Sequence, residues 1–212
     1  MLGMLKARFY RDSALHTIVR AYKAQQQVRR WHAQGRPAKM PHLLKEYVVQ
    51  AYGRRYGLHT LVETGTFRGD MIVACGRTFG QIYSIELDPQ LHSAARVRFR
   101  GYSTVALLQG DSADVLPGVL AQLAAPALFW LDAHYSGGVT ARSASDTSIV
   151  RELDLILAQR AHAHVVLIDD AHEFVGANDY PRLDDLRAHL RSARPDLMLD
   201  VRHNIIRIVP AP

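Results

Sequence analysis

Acidic residues recur at the ends of short apolar runs in this chain, and its candidate chemistry is concentrated there. Glu63 closes Leu61-Val-Glu-Thr64 just before Gly65. Glu86 closes Tyr83-Ser-Ile-Glu86, and Asp88 follows it. Gly110-Asp111, Asp132-Ala-His134 and Asp169-Asp-Ala-His172 come after three further runs. One acid at a strand end is commonly a helix cap. Five such ends are better explained by a site, because open parallel sheets collect ligands outside the carboxyl ends of their strands.

The set divides in two. Gly65 makes a tight turn that lets backbone approach a ligand, and Gly69 leads into an amphipathic segment whose first N–H groups are unpaired. Glu86 lies 21 residues beyond Gly65. A glycine turn followed about 20 residues later by an acid on the next strand suits a nucleoside, the acid accepting from ribose hydroxyls. Glu63, Gly65, Glu86 and Asp111 therefore form one half, with Asp111 an acceptor for an adenine amine.

Asp132, Asp169 and Asp170 form the other half. Carboxylates brought together on neighbouring strands repel, so they need a cation or a shared proton. Oxygen-only ligands suit a hard divalent ion such as Mg²⁺. Capping by Asp169 or Asp170 is the plainer alternative. His134 and His172 each follow an aspartate by two positions, on the same side of an extended strand end. General base, ligand and structural roles all stay open for them, His134 being the better base. A two-histidine, one-carboxylate iron site is disfavoured by the adjacent acids. Tyr135 to Ser145 is a small-residue loop of the kind that closes over substrates, or else a plain connection.

The elements that would position these residues are legible in the hydrophobic pattern. Short apolar runs at 59–64, 82–87, 104–109, 127–132 and 164–169 read as strands. They alternate with amphipathic segments at 70–79, 89–100, 113–123, 147–160 and 182–193. Asp88-Pro89 and Asp146 signal helix starts, and Gly80 and Gly101 signal stops. This predicts an α/β, doubly wound, mostly parallel sheet. Leu197–Val201 and Ile205–Val209 add an antiparallel hairpin at its edge, for seven strands in all. Upstream, a helix is expected over 13–33, with Leu15, Ile18, Val19 and Tyr22 on one face. A second starts at Pro41, carries Leu44, Tyr47, Val48, Ala51 and Tyr52 as its stripe, and ends at Gly53 and Gly57. Residues 1–57 thus read as a basic helical cap on a domain spanning 58–212.

The chain has 212 residues, 48% hydrophobic and 22% charged, which are ordinary globular values. No apolar run is long enough to span a membrane, and the N-terminus is too short in its apolar part for a secretory signal. A single cysteine, Cys75, excludes an internal disulfide and fits a reducing, cytoplasmic setting. Residues 1–57 carry twelve Lys and Arg against Asp12 and Glu46, a balance of +10 within a net +6, leaving −4 elsewhere. Such asymmetry marks either an anionic partner or a solvated helical face.

Taken together, these residues resemble a class I S-adenosylmethionine-dependent methyltransferase over about residues 59–209. Glu63-Thr-Gly-Thr-Phe-Arg-Gly69 is similar to that family's glycine motif, with Thr66-Phe67 where many members have glycine. Glu86 matches the ribose acid and Asp111 the acid near the adenine. Asp132 with Asp169-Asp170 resembles the metal triad of metal-dependent O-methyltransferases, of the catechol type and especially the macrocin O-methyltransferase-like type. In the catechol type the third ligand is usually Asn, where this chain has Asp170. Phe129 to Gly138 looks like a segment of bacterial methyltransferase-like proteins.

The resemblance implies a Rossmann-like fold and S-adenosylmethionine bound by Glu63, Gly65, Thr66, Phe67, Gly69, Glu86 and Asp111. It also implies Mg²⁺ on Asp132, Asp169 and Asp170, and a small-molecule or sugar hydroxyl as acceptor, with His134 taking its proton. Three rivals are weighed against it. A nucleic-acid methyltransferase would use the basic helices, but the Asn/Asp-Pro-Pro-aromatic motif is missing where Asp132-Ala-His-Tyr135 stands. A non-catalytic binding module could use the same fold. A nicotinamide-dependent dehydrogenase is disfavoured because the turn is not Gly-x-Gly-x-x-Gly. The sequence leaves the acceptor and the oligomeric state open.

Overall fold

The computed structural model describes residues 14–37, 39–132 and 148–212, which fall into two compact units divided between Tyr47 and Val48. In the first, helix α1 (Ala14–Ala33) ends at the Gly35-Arg-Pro37 break, where the Trp31 indole N–H donates to the Pro37 carbonyl at 2.8 Å. Helix α2 (His42–Arg55) crosses from the first unit into the second. Among the described residues no helix is long and apolar enough to cross a membrane.

Two expectations for α2 are corrected. Its fully buried position is Val49, while Tyr47 of the expected stripe is 55% exposed. Gly53 does not end the helix either. A Cβ there would meet the Phe79 ring at 2.5 Å, so the glycine lets the helix pack directly on that ring. The terminator is Gly57, in the left-handed region at φ 61°.

The larger unit is built on β1 (Thr60–Thr64), β2 (Gln81–Glu86), β3 (Val105–Gln109), β4 (Ala127–Leu131), β5 (Val165–Ile168), β6 (Leu197–Arg202) and β7 (Ile205–Pro210). Their order is β3-β2-β1-β4-β5-β7-β6, with the first five parallel and the β6–β7 hairpin antiparallel. The expected seven-stranded sheet is therefore present. Strand order reverses between β1 and β4, successive strands being added outward on either side, and such a switch point opens a crevice at the carboxyl ends.

Helices α3 (Asp70–Cys75), α4 (Pro89–Arg98), α5 (Ser112–Leu120), α6 (Ile149–Ala158) and α7 (Leu183–Ala193) connect the strands. Alternation assigns the faces. Val62, Ile85, Phe129, Leu131, Val166 and Ile168 form one core with Leu116 of α5, Leu153 and Ile156 of α6, and Leu186 of α7. Leu61, Ile82, Leu128, Trp130 and Leu167 are buried on the opposite side, where the Gln50 amide of α2 donates to the Ala74 carbonyl of α3 at 3.2 Å. Helix α3 is four residues shorter than expected because Gly76, not Gly80, caps it.

Candidate functional site

The glycine turn is closed from the neighbouring strand. The N–H groups of Gly65 and Thr66 both donate to the Ile85 carbonyl, at 2.9 and 3.2 Å. Gly65 stands at φ 87°, Phe67 at φ 46° and Gly69 at φ 71°, so the turn enters the left-handed region three times. Phe67 is held there although many relatives in the resembled family carry glycine. Its N–H donates to Glu86 Oε2 at 2.7 Å, and the Asp88 N–H donates to Oε1 at 3.0 Å. Glu86 thus pins the turn with one oxygen and its own strand exit with the other. Each oxygen retains a lone pair for another donor.

Glu63 lies behind the turn, 2% exposed. The Ser84 hydroxyl donates to Glu63 Oε2 at 2.6 Å, and Thr66 Oγ1 stands 2.7 Å from Ser84 Oγ. Burial pushes the Glu63 carboxyl up to about 8, the Ser84 hydrogen bond opposes this, and the negative charges of Asp132, Glu86 and Asp70 add to it. Glu63 therefore feels the charges of both Glu86 and Asp132. Asp111 caps α5, its Oδ1 accepting from the Ala113 N–H at 3.0 Å, with an Arg151 nitrogen 4.0 Å away.

Asp132 and Asp169 are the next residues after the last registered pair, Leu131 and Ile168, so alternation turns both toward the Glu63 face. Asp169 is 4% exposed. Asp170 takes a left-handed conformation at φ 51°, and its Oδ1 accepts from the Asn204 amide at 3.1 Å. Among the described residues, no group of three His, Cys, Asp or Glu has an arrangement that could hold a metal ion. His134, the loop 135–145 and the helix start at Asp146 lie outside the described residues. His172 lies in a 3₁₀ turn (Ala171–Glu173), with Nδ1 3.0 Å from Asn204 Oδ1 and Nε2 3.2 Å from Glu173.

A second polar cluster escaped the sequence reading. Thr64, one residue after Glu63, faces the other way and its hydroxyl reaches Glu152 Oε2 at 3.4 Å. The hydroxyls of Ser112 and Ser148 both donate to Glu152 Oε1. Glu152 is completely buried, and burial raises its pKa against the pull of those hydroxyls. One signal was available: a glutamate between Ile149, Leu153 and Ile156 interrupts the apolar face of α6.

Glu152 joins the starts of α5 and α6 to the end of β1, directly beneath the turn. Replacing it with alanine leaves three hydroxyls without this acceptor and opens a cavity. The expected destabilisation is about 3 kcal/mol. It would be read as a lower urea midpoint at unchanged slope, with Glu152→Gln recovering most of the loss.

No protein-family model matches the sequence, and neither does any curated protein. Solved structures do match. An O-methyltransferase from Bacillus cereus, in complex with SAH, superposes with TM-score 0.59 at 16% identity, covering 89% of this chain and 90% of that one. The O-methyltransferase TomG from Streptomyces achromogenes, involved in tomaymycin synthesis and in complex with SAM, gives 0.57 at 17%, covering 79% and 80%. The 23S rRNA methyltransferase ErmE gives 0.51 at 15%, covering 78% and 68%. The chain has the class I methyltransferase fold. Within that fold the acids of β1, β2, β4 and β5 lie on the carboxyl rim of the sheet, and Glu86 is bonded into the glycine turn beside it.

Proposed function

We propose that this chain transfers the methyl group of S-adenosylmethionine to a hydroxyl of a small molecule or sugar, in the cytoplasm. One observation carries the reading: Glu86, at the end of β2, is hydrogen-bonded into the left-handed glycine turn after β1. That leaves acceptor capacity for two ribose hydroxyls where backbone comes closest to a ligand. The methyltransferase fold and its SAM- and SAH-bound neighbours support the same cofactor.

In this proposal the ribose lies on Glu86, the adenine toward Asp111, and the sulfonium over Gly65, with Thr66, Phe67 and Gly69 shaping the turn around it. The acceptor oxygen attacks the methyl carbon in line as the carbon–sulfur bond breaks, its electrons returning to sulfur. His134 takes the acceptor's proton. Alignment of the two reactants supplies much of the acceleration.

Asp132, Asp169 and Asp170 are the residues proposed for Mg²⁺; the three do not stand as a ready-made ligand group, so the ion would rest on one or two of them. Their all-oxygen chemistry fits a hard cation, which commonly uses only one or two carboxylates and completes its shell with water and substrate. When bound, the ion would lower the pKa of a coordinated hydroxyl. Calorimetric titration with S-adenosylmethionine, with and without Mg²⁺, followed by a radiolabelled methyl screen over hydroxylated acceptors, tests the whole reading. Asp132→Ala is expected to keep cofactor affinity and lose at least tenfold in turnover. Full, metal-independent turnover in that variant would remove the ion from the proposal.

The +10 balance of residues 1–57 favours one second reading, methylation of RNA. It requires RNA binding that weakens steeply with salt. Salt-insensitive or absent RNA binding, together with turnover on a small hydroxylated acceptor, decides against it.

A further inference from the structure

The turn of the C-terminal hairpin reaches the rim of the sheet through one side chain. His203 and Asn204 occupy it at φ 50° and 61°, the backbone of a two-residue type I′ turn. Glycine is the ordinary choice at the second position, because it enters the left-handed region without steric cost. This chain has asparagine there, and every polar atom of its amide is used on the segment leaving β5.

The Asn204 Nδ2 donates to Asp170 Oδ1 at 3.1 Å. Its Oδ1 accepts from the His172 backbone N–H at 2.9 Å and faces His172 Nδ1 at 3.0 Å. Its backbone carbonyl accepts from the Ala171 N–H at 2.9 Å. Because Nδ2 serves Asp170, Oδ1 is the acceptor side, and the His172 ring must present its proton at Nδ1. Asp170 is itself left-handed at φ 51°, ψ 49°, a conformation a non-glycine residue keeps only when its surroundings hold it.

We propose that Asn204 is a positioning residue for the acceptor end of the site, fixing the Asp170 carboxylate and the Ala171–His172 backbone at the carboxyl end of β5. The inference rests on the methyl-transfer reading above. It makes the β6–β7 hairpin part of the catalytic frame and not merely the edge of the sheet. The cofactor half, carried by β1 and β2, is untouched by it.

Asn204→Gly is the discriminating variant, since glycine suits the turn and only the amide is lost. Turnover is expected to fall at least tenfold. The affinity for S-adenosylmethionine and the thermal midpoint should stay as in the unaltered chain, the midpoint within about 4 °C. In an Asp170→Ala background the same change should cost much less turnover, since only the hold on the His172 backbone is left to lose. The ¹⁵N–¹H signal of the His172 ring should show a held Nδ1 proton in the unaltered chain and lose it in Asn204→Gly.

Unchanged turnover in Asn204→Gly overturns the inference, as does an equal loss in both backgrounds. So does a turnover loss matched by a drop in thermal midpoint with the His172 signal intact. An unaltered chain with no affinity for S-adenosylmethionine overturns the methyl-transfer reading and this inference with it. An active chain with an equally active Asn204→Gly overturns the inference alone.

Discussion

Glu86→Gln is expected to weaken S-adenosylmethionine binding about a hundredfold, because hydrogen bonds to a charged acceptor contribute about 1.5–3 kcal/mol each and about 1.4 kcal/mol is tenfold. The carboxylate already accepts the N–H groups of Phe67 and Asp88, at 2.7 and 3.0 Å. Glutamine can offer its oxygen to only one of them. Its NH₂ must then face the other donor, so the turn loosens while the negative charge is lost. Both effects act on the ribose, the first through the left-handed backbone at Phe67 and the second directly. Glu86→Ala should bind more weakly still, and Glu86→Asp should fall between, keeping the charge but not the reach. Calorimetry at neutral pH measures all three, with circular dichroism confirming that the sheet survives. An affinity within threefold of the unaltered chain would mean that the nucleoside does not lie on Glu86.

How much of this was legible in the sequence differs by element. All seven strands could be read as short apolar runs, and in the five parallel ones the acid that closes or follows the run marks the carboxyl rim. Spacing marked Glu86 as the acid that follows the glycine turn, but not its hydrogen bond to the Phe67 N–H within that turn. What spacing could not give was the direction of each side chain after the strand ends. Asp170 turns left-handed and toward Asn204, a partner 34 residues away on a hairpin read only as a sheet edge. Gly53 looked like a terminator because a glycine inside a helix has no sequence mark separating a stop from a packing site. Phe79 reveals which it is only in three dimensions. Ser84 and Glu152 were missed for a similar reason: each is a lone polar residue inside an apolar pattern, and its partner lies on another element.

Relative to Glu63→Gln, the unaltered chain is expected to lose stability as pH rises from about 4.5 toward 8. Glu63 titrates at about 8 in the folded chain against 4.5 ordinarily, because burial disfavours its charged form; the nearby Asp132, Glu86 and Asp70 reinforce the shift and Ser84 partly offsets it. The folded state therefore holds this proton more tightly than the unfolded state does. Below pH 4.5 both states are protonated and the carboxyl imposes no penalty. Between the two values the unfolded chain ionises while the folded chain does not, and unfolding becomes easier by about 1.4 kcal/mol per pH unit. Above about pH 8 the loss levels off.

Glutamine keeps an oxygen for the Ser84 hydroxyl and has nothing to ionise, so it removes the Glu63 share of this slope. Glu152 remains and slopes in the same direction, since burial raises it too, while His164, pushed down to about 4 by burial, slopes the opposite way below about pH 6.5 in both chains. Urea unfolding at pH 5.5, 7 and 8.5 should give two curves that nearly meet at the acid end and separate steadily toward the alkaline end. Parallel curves would mean that Glu63 is already ionised in the folded chain. The same proton links stability to the proposed cofactor. A sulfonium and an ammonium brought near Glu63 favour its charged form, so binding near neutral pH should release a proton. Calorimetry in buffers of different ionisation enthalpy would detect that release in the unaltered chain, and Glu63→Gln should abolish it.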